Sequence, residues 1–203
     1  SRDGAIDNLP MLVRECRKNG IYMIARISIF RDHLLYEMDP SSRIRSGRTG
    51  GGWNHGTKEL WCDPTNRKVQ DYNINLAVEL AAAGVDEIQF DYIRFPTLGD
   101  QDDAMFAWPQ GRQSRVDVIT AFLKRAHEAV ASYDAFLSID IFGVTAWGKD
   151  VDIKKLGQQI NLLAENCDVI SPMLYPSHFN DNFDGLAKPG DHPYHFIFNG
   201  CKK

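Results

Sequence analysis

No run in this chain approaches the ~18 consecutive apolar residues of a membrane-spanning helix, because charged residues interrupt every hydrophobic stretch. The first ten residues, SRDGAIDNLP, lack the apolar centre of a signal peptide. Cysteine is scarce: Cys16, Cys62, Cys167 and Cys201 are far apart, with no C-x-x-C pair and no histidines at zinc-finger spacing. No metal or cofactor is therefore expected, and Cys16 and Cys167 are read as small buried hydrophobes. The motifs G-x-G-x-x-G, G-x-S-x-G and H-E-x-x-H, the P-loop and the H-x-H of metal-dependent barrel hydrolases are all missing. Gly50-Gly51-Gly52 sits inside a long loop rather than between a strand and a helix. With a net charge of −4, no nucleic-acid partner is expected.

What remains is an ordinary globular composition, 43% hydrophobic and 25% charged over 203 residues, enough for one core and no second full domain. Four apolar stripes have helical spacing: Ile6, Leu9, Val13, Cys16; Val69, Tyr72, Leu76, Leu80; Val116, Ile119, Leu123, Ala126, Val130; and Ile153, Leu156, Ile160, Leu163. Each precedes a β-prone run, at residues 22–30, 87–92, 136–142 and 169–175, and residues 195–199 read as a weaker fifth strand. Strands alternating with helices predict βαβ units and a parallel sheet.

The connections are unequal. Helix-to-strand turns are short (18–20, 83–85, 132–135, 165–166), whereas the segments leaving the strands, 31–65, 93–112, 143–150 and 176–193, are long. In a β/α barrel the loops at the carboxyl ends of the strands build the active site. Period-two reading agrees: Ile88 and Phe90 oppose Glu87, Gln89 and Asp91; Leu137, Ile139 and Ile141 oppose Ser138 and Asp140; Arg26 and Ser28 share a face, as do Ser171, Met173 and Tyr175. A strand covered by helices on both sides would be apolar throughout. One apolar and one polar face predict a barrel with helices outside and a polar mouth, not an open doubly wound sheet.

Asp91 and Asp140 end consecutive strands on that polar face, and two carboxylates flanking one bond can hydrolyse a glycoside. The structural alternative is a pair of aspartates that only bridge to Arg26 or Arg94. Arg26 and Arg94 are candidates to orient the carboxylates, and Tyr175 and His178 to bond sugar hydroxyls. Asp32, following the first strand, is a further substrate-binding candidate, and Asp63 is expected near a helix cap. All four tryptophans fall in strand-following segments; Trp53, Trp108 and Trp147 are candidates for stacking on sugar rings, the alternative being that they pack the loops. Arg43, Arg45 and Arg48 and the acidic run at 100–103 are read as solvated loop.

AGVDEIQFDYIRFP (83–96), IYMIARISIFRD (21–32), LSIDIFG (137–143) and DVISPMLYPSHF (168–179) together resemble the bacterial glycosyl-hydrolase-like domain family of uncharacterised proteins, itself similar to the α-amylase and α-galactosidase superfamily. The resemblance implies a (β/α)8 TIM barrel, a sugar-cleaving activity on an oligo- or polysaccharide, and an extracellular or cell-envelope location. It makes the four strands barrel strands three to six, with 195–199 beginning the seventh. Asp91 then ends strand four, the place of the superfamily nucleophile, and Asp140 ends strand five, where α-amylase-like enzymes carry a Glu acid/base. The Asp that α-galactosidase-like enzymes use on strand six has no counterpart here. A non-catalytic carbohydrate-binding or structural barrel of the cell envelope is the alternative function. Because a full barrel takes ~250 residues, residues 1–203 are expected to be one such domain truncated at both ends, its missing strands supplied by flanking sequence or another chain.

Overall fold

The computed structural model describes residues 8–53, 59–107 and 113–203. Its centre is a four-stranded, all-parallel sheet in which strands adjacent in sequence are adjacent in space: β1 (Ile24–Ser28), β3 (Glu87–Asp91), β5 (Phe136–Phe142) and β6 (Val169–Met173). The sheet is open, with β1 and β6 as its edges. β2 (Arg45–Ser46) and β4 (Ala104–Met105) form a separate antiparallel clip.

The helices α1 (Leu9–Lys18), α3 (Arg67–Ala82) and α4 (Arg115–Ala131) each feed a strand through a short turn, as the unequal connections predict. Local chemistry marks where they begin. Asn66 caps α3 by accepting from Lys68 N, and Ser114 and Asp117 close a capping box at α4. The apolar strand face carries Ile27, Ile88, Phe90, Leu137, Ile139 and Ile141, all buried under these helices. Phe122 of α4 anchors the contact, its ring centroid 5.2 Å from Phe30 and 5.9 Å from Phe90.

Several elements differ from the sequence reading. Residues 195–199 are not a strand but lie within α7 (Pro193–Lys202). HFIFN is too short to separate a period of 2 from one of 3.6, and Pro193 in the first turn, with Tyr194 stacked on Phe198 one turn later, decides for helix. On α3 the buried side is Val69, Asn73, Ile74, Ala77 and Ala81, while Tyr72 is exposed. The small alanines let the helix settle on the sheet, and Asn73 donates to Ile29 O at 3.1 Å. Of the cysteines, Cys62 is the buried one; Cys16 and Cys167 are half-buried, and all four are free.

The fourth stripe is broken into α5 (Asp150–Leu156) and α6 (Ile160–Ala164) at Gly157. Gly157 has φ +79°, and a Cβ there would lie 2.7 Å from Arg115 O and 2.9 Å from an Ile119 side-chain carbon. Both the left-handed backbone and the contact with α4 require glycine. Gly157→Ala is expected to lower stability by about 1–3 kcal/mol in urea or thermal unfolding.

The basic and acidic loops read as solvated meet each other instead. Arg48 pairs with Asp100 and lies 3.9 Å from Asp103, Asp103 also accepts from Ser46 Oγ, and Arg43 donates to Tyr36 O at 2.6 Å. Long strand-following loops are thereby tied to one another beside the carboxyl ends of the strands. Other elements of this end are α2 (His33–Met38), two of whose orphan N–H groups are capped by Asp32, and a 3-10 turn at Pro176–His178.

Candidate active site

Phe90 pairs with Ile139 in the parallel β3–β5 register, so the next residues of the two strands, Asp91 and Asp140, end up as neighbours on the same face. Adjacent strands run about 4.8 Å apart. Arg26 on β1 is opposite Gln89, one layer lower, and its long side chain rises to both acids. Its Nη2 donates to Asp91 Oδ2, and its Nε to Asp140 Oδ2 at 3.3 Å. The two carboxylates are almost fully buried, with side chains 3% and 9% exposed.

The electrostatics follow from two acids sharing one cation. Burial raises the pKa of Asp140, the negative charge of Asp91 raises it further, and Arg26 offsets only part of this. Burial disfavours the Arg26 charge, but Asp91 and Asp140 outweigh it and the Arg26 pKa is raised. Asp91 is held from its other side, where Tyr92 N donates to Oδ1 at 2.7 Å. Tyr92 makes that bond at φ +52°, a left-handed conformation that is costly for an aromatic residue. Arg31 supports it by donating to the Tyr92 hydroxyl at 2.7 Å, with its guanidinium carbon 4.8 Å from the ring.

Arg26, Met173 and Tyr175 separate two depressions at this end of the sheet. One, of about 600 Å³, is lined by Asp91, Tyr92, Arg31, Arg94, Glu59 and His178 among others. The other, of about 800 Å³, contains Asp140, Gln89 and Ser171. The Tyr175 ring is half exposed and packs edge-on to His178, with 5.1 Å between centroids. One acid thus faces each depression, and a chain laid across Tyr175 would meet both.

Asp91, Arg94 and His178 therefore line one depression and Asp140 the other, with Arg26 and Tyr175 shared between the two. Asp32 lines neither; its Oδ1 accepts from Leu34 N and Leu35 N as the α2 cap. Trp53 is corrected from a sugar platform to a packing residue: it is 2% exposed, and its indole N–H donates to Asp100 O, so no open ring face remains. Trp147 packs into a cluster with Phe179, Phe183 and Phe196, away from both depressions. Trp108 lies outside the described residues. Asp63 forms a turn onto Thr65 just ahead of α3, close to the cap expected of it.

Tyr92, Arg31 and Glu59 also line the depression beside Asp91, with no role expected of them from the sequence. Glu59 accepts from Trp61 Nε1 at 3.2 Å and pairs with Arg31 at 3.4 Å. Tyr92 and Arg31 do have a sequence signal, since each stands at the carboxyl end of a β-prone run, Tyr92 as the last residue of 87–92 and Arg31 just after 22–30. Glu59 has none, being carried in by a long loop. Among the described residues no three His, Cys, Asp or Glu side chains converge as a metal site, and no helix is long and apolar enough to cross a membrane.

A parallel α/β sheet whose polar groups gather at the carboxyl ends of its strands is the arrangement on which β/α active sites are built. The chain belongs to the family described as "Putative glycosyl hydrolase domain", whose model matches residues 1–203. A hypothetical protein from Ruminiclostridium thermocellum is 32% identical, with 66% of this chain and 65% of that one covered at a TM-score of 0.57. The PgaB (BpsB) glycoside hydrolase domain from Bordetella bronchiseptica is 14% identical, covering 92% and 59% at 0.60. TtGalA, an α-galactosidase from Thermus thermophilus solved with stachyose, is 18% identical, covering 90% and 36% at 0.55. The last two likenesses are of fold. The chain spans less than two thirds of the length of each of these structures. No curated protein matches it.

Proposed function

We propose that this chain is the catalytic part of a glycoside hydrolase, acting on an oligo- or polysaccharide with Asp91 as nucleophile and Asp140 as general acid and base. The observation that carries the proposal is the side-by-side placement of Asp91 and Asp140 on adjacent strands, bridged by Arg26. Retaining glycosidases separate their two carboxyl groups by ~5–5.5 Å, inverting ones by ~6.5–9.5 Å to admit a water. A strand spacing of about 4.8 Å favours the retaining geometry.

The chemistry then divides by environment. Asp91, held by Arg26 and Tyr92 N, attacks the anomeric carbon while the leaving oxygen takes a proton from Asp140. Asp140 suits that step because burial and Asp91 keep its proton on to higher pH. Once the leaving group departs, the ionised Asp140 accepts a proton from water, which cleaves the glycosyl-Asp91 ester and restores both acids. Tyr175 and His178 offer a stacking face and a hydrogen-bonding group to the sugar.

The four strands are best read as consecutive staves of a (β/α)8 barrel in a single domain. Sequential neighbours, parallel throughout with helices on one face, give that order. Ile24, Phe136 and Val169, on the other face at its amino-terminal end, are about half exposed, as the inward side of an incomplete barrel would be. A panel of neutral, acidic and amino-sugar oligosaccharides, with products read by mass spectrometry, tests the assignment. Hydrolysis lost in Asp91→Ala is expected. Glycan binding with no turnover, unchanged by that substitution, would make the chain a binding module instead.

A further inference from the structure

The depression beside Asp91 contains an arginine that forms no ion pair among the described residues. Arg94 is 9% exposed, and its guanidinium carbon lies 5.0, 5.7 and 5.1 Å from the ring centroids of Trp61, Tyr92 and Phe142. Nη1 donates to Phe95 O at 3.1 Å, and Nε has no partner. Among the described residues no carboxylate forms an ion pair with Arg94, whereas Arg26 has Asp91 and Asp140, and Arg31 has Glu59 at 3.4 Å. Burial pulls the Arg94 pKa down, with Glu59 and Asp91 opposing through space, yet an arginine remains charged at any ordinary pH.

An arginine needed only for packing would be an expensive choice here, since a buried charge is destabilising unless paired. The aromatic faces recover part of that cost. They also hold the guanidinium in place at the wall of the depression, which is the preorganisation an anion site needs. Of the charged groups at this end, Asp91 and Asp140 pair with Arg26 and Glu59 pairs with Arg31, whereas no carboxylate reaches ion-pair distance of Arg94 among the described residues.

We propose that this depression binds an acidic sugar, a residue whose carboxylate or sulfate pairs with Arg94 while its ring is presented to Asp91. This rests on the glycosidase reading of the cleft and adds the substrate class to it. The anionic substituent supplies the direct charged partner that Arg94 lacks, and the planar guanidinium gives it a directional contact. Neutral sugars of the same shape leave Arg94 unpaired and bind more weakly.

The test is calorimetric titration of the wild-type chain with non-hydrolysable S-linked oligosaccharides: uronate-containing, sulfated and neutral counterparts, with inorganic phosphate as a control. Acidic ligands are expected to bind at least about tenfold more tightly than neutral ones, a preference that fades as salt rises. Arg94→Met should erase the preference, and Arg94→Lys should restore only part of it. Circular dichroism checks that the variants fold. Should Arg94→Met fail to fold, Arg31→Gln, which releases Glu59 to compete for the cation, should still weaken the preference. Equal binding of acidic and neutral ligands, a preference that survives Arg94→Met, or binding of phosphate alone would each overturn the proposal. The two readings fail separately. Asp91-dependent hydrolysis of neutral glycans at undiminished rate removes the acidic subsite only, and Arg94-dependent binding of acidic sugars without any turnover removes only the catalytic assignment.

Discussion

Asp91→Asn is expected to lower kcat by roughly 10⁴-fold or more on whichever glycoside the wild type cleaves, with KM changed far less. Asparagine keeps the shape of the side chain but removes the attacking oxygen and the charge that stabilises an oxocarbenium-like transition state. The substitution has a second consequence. Asp91 accepts from Tyr92 N on one oxygen and from Arg26 on the other, and an amide has one acceptor oxygen for these two donors. A loss of about 1–3 kcal/mol in stability follows, measurable by denaturant titration. The coulombic push on Asp140 also disappears, so its pKa should fall in the variant. Steady-state kinetics and unfolding of the same preparation separate the chemical loss from the structural one.

Asp140→Asn should move activity and stability in opposite directions. Removal of the proton donor is expected to cost about 10²–10⁴-fold in kcat for substrates with poor leaving groups. Aryl glycosides with acidic phenols need little protonation and should lose much less in the glycosylation step. In the wild type the Asp140 pKa is raised above the ordinary carboxyl value by burial and by Asp91. The native state therefore holds this proton more tightly than the unfolded chain does. That contribution to stability is fully present below the unfolded pKa of ~3.9 and is lost as pH rises through the higher folded value. Above that folded value the wild type holds two buried carboxylates against one arginine, whereas the asparagine variant has one of each. Above that value the variant should be the more stable, with each 1 kcal/mol gained raising Tm by about 2–4 °C, and the difference should shrink or reverse towards pH 4. The alkaline fall of kcat/KM attributable to Asp140 should vanish with it.

How much of this was legible beforehand depended on whether a residue's environment is set locally. The two-faced strands placed Asp91, Asp140 and Arg26 on one side because alternation along a strand is a property of a few residues. The register that makes Asp91 and Asp140 neighbours comes from pairing across the sheet. Period and spacing identified α4 correctly but rotated α3, where two alanines and a buried asparagine replaced the larger apolar residues as the packing surface. The strand assigned at 195–199 failed because a helix with Phe196 buried and Tyr194 and Phe198 exposed imitates alternation over five residues. The loops were the least legible. Trp53 reads from its loop position as a platform but is covered by its own connections, while Glu59 reaches the cleft through a tertiary path that no local pattern encodes. Tyr92 carries the left-handed backbone turn at the end of β3, a strained position that only the folded chain shows.

The most direct test of the central assignment is to trap the covalent intermediate. A 2-deoxy-2-fluoro glycosyl fluoride of the preferred sugar slows both steps, and the second more severely, so the labelled enzyme accumulates and can be digested and mapped by mass spectrometry. The account predicts one glycosyl unit esterified to Asp91, formed in the wild type and in slower measure in Asp140→Asn with its activated leaving group, and absent from Asp91→Asn. A label on another carboxylate, Glu59 included, or hydrolysis that proceeds with inversion and leaves Asp91 unmodified, would contradict it.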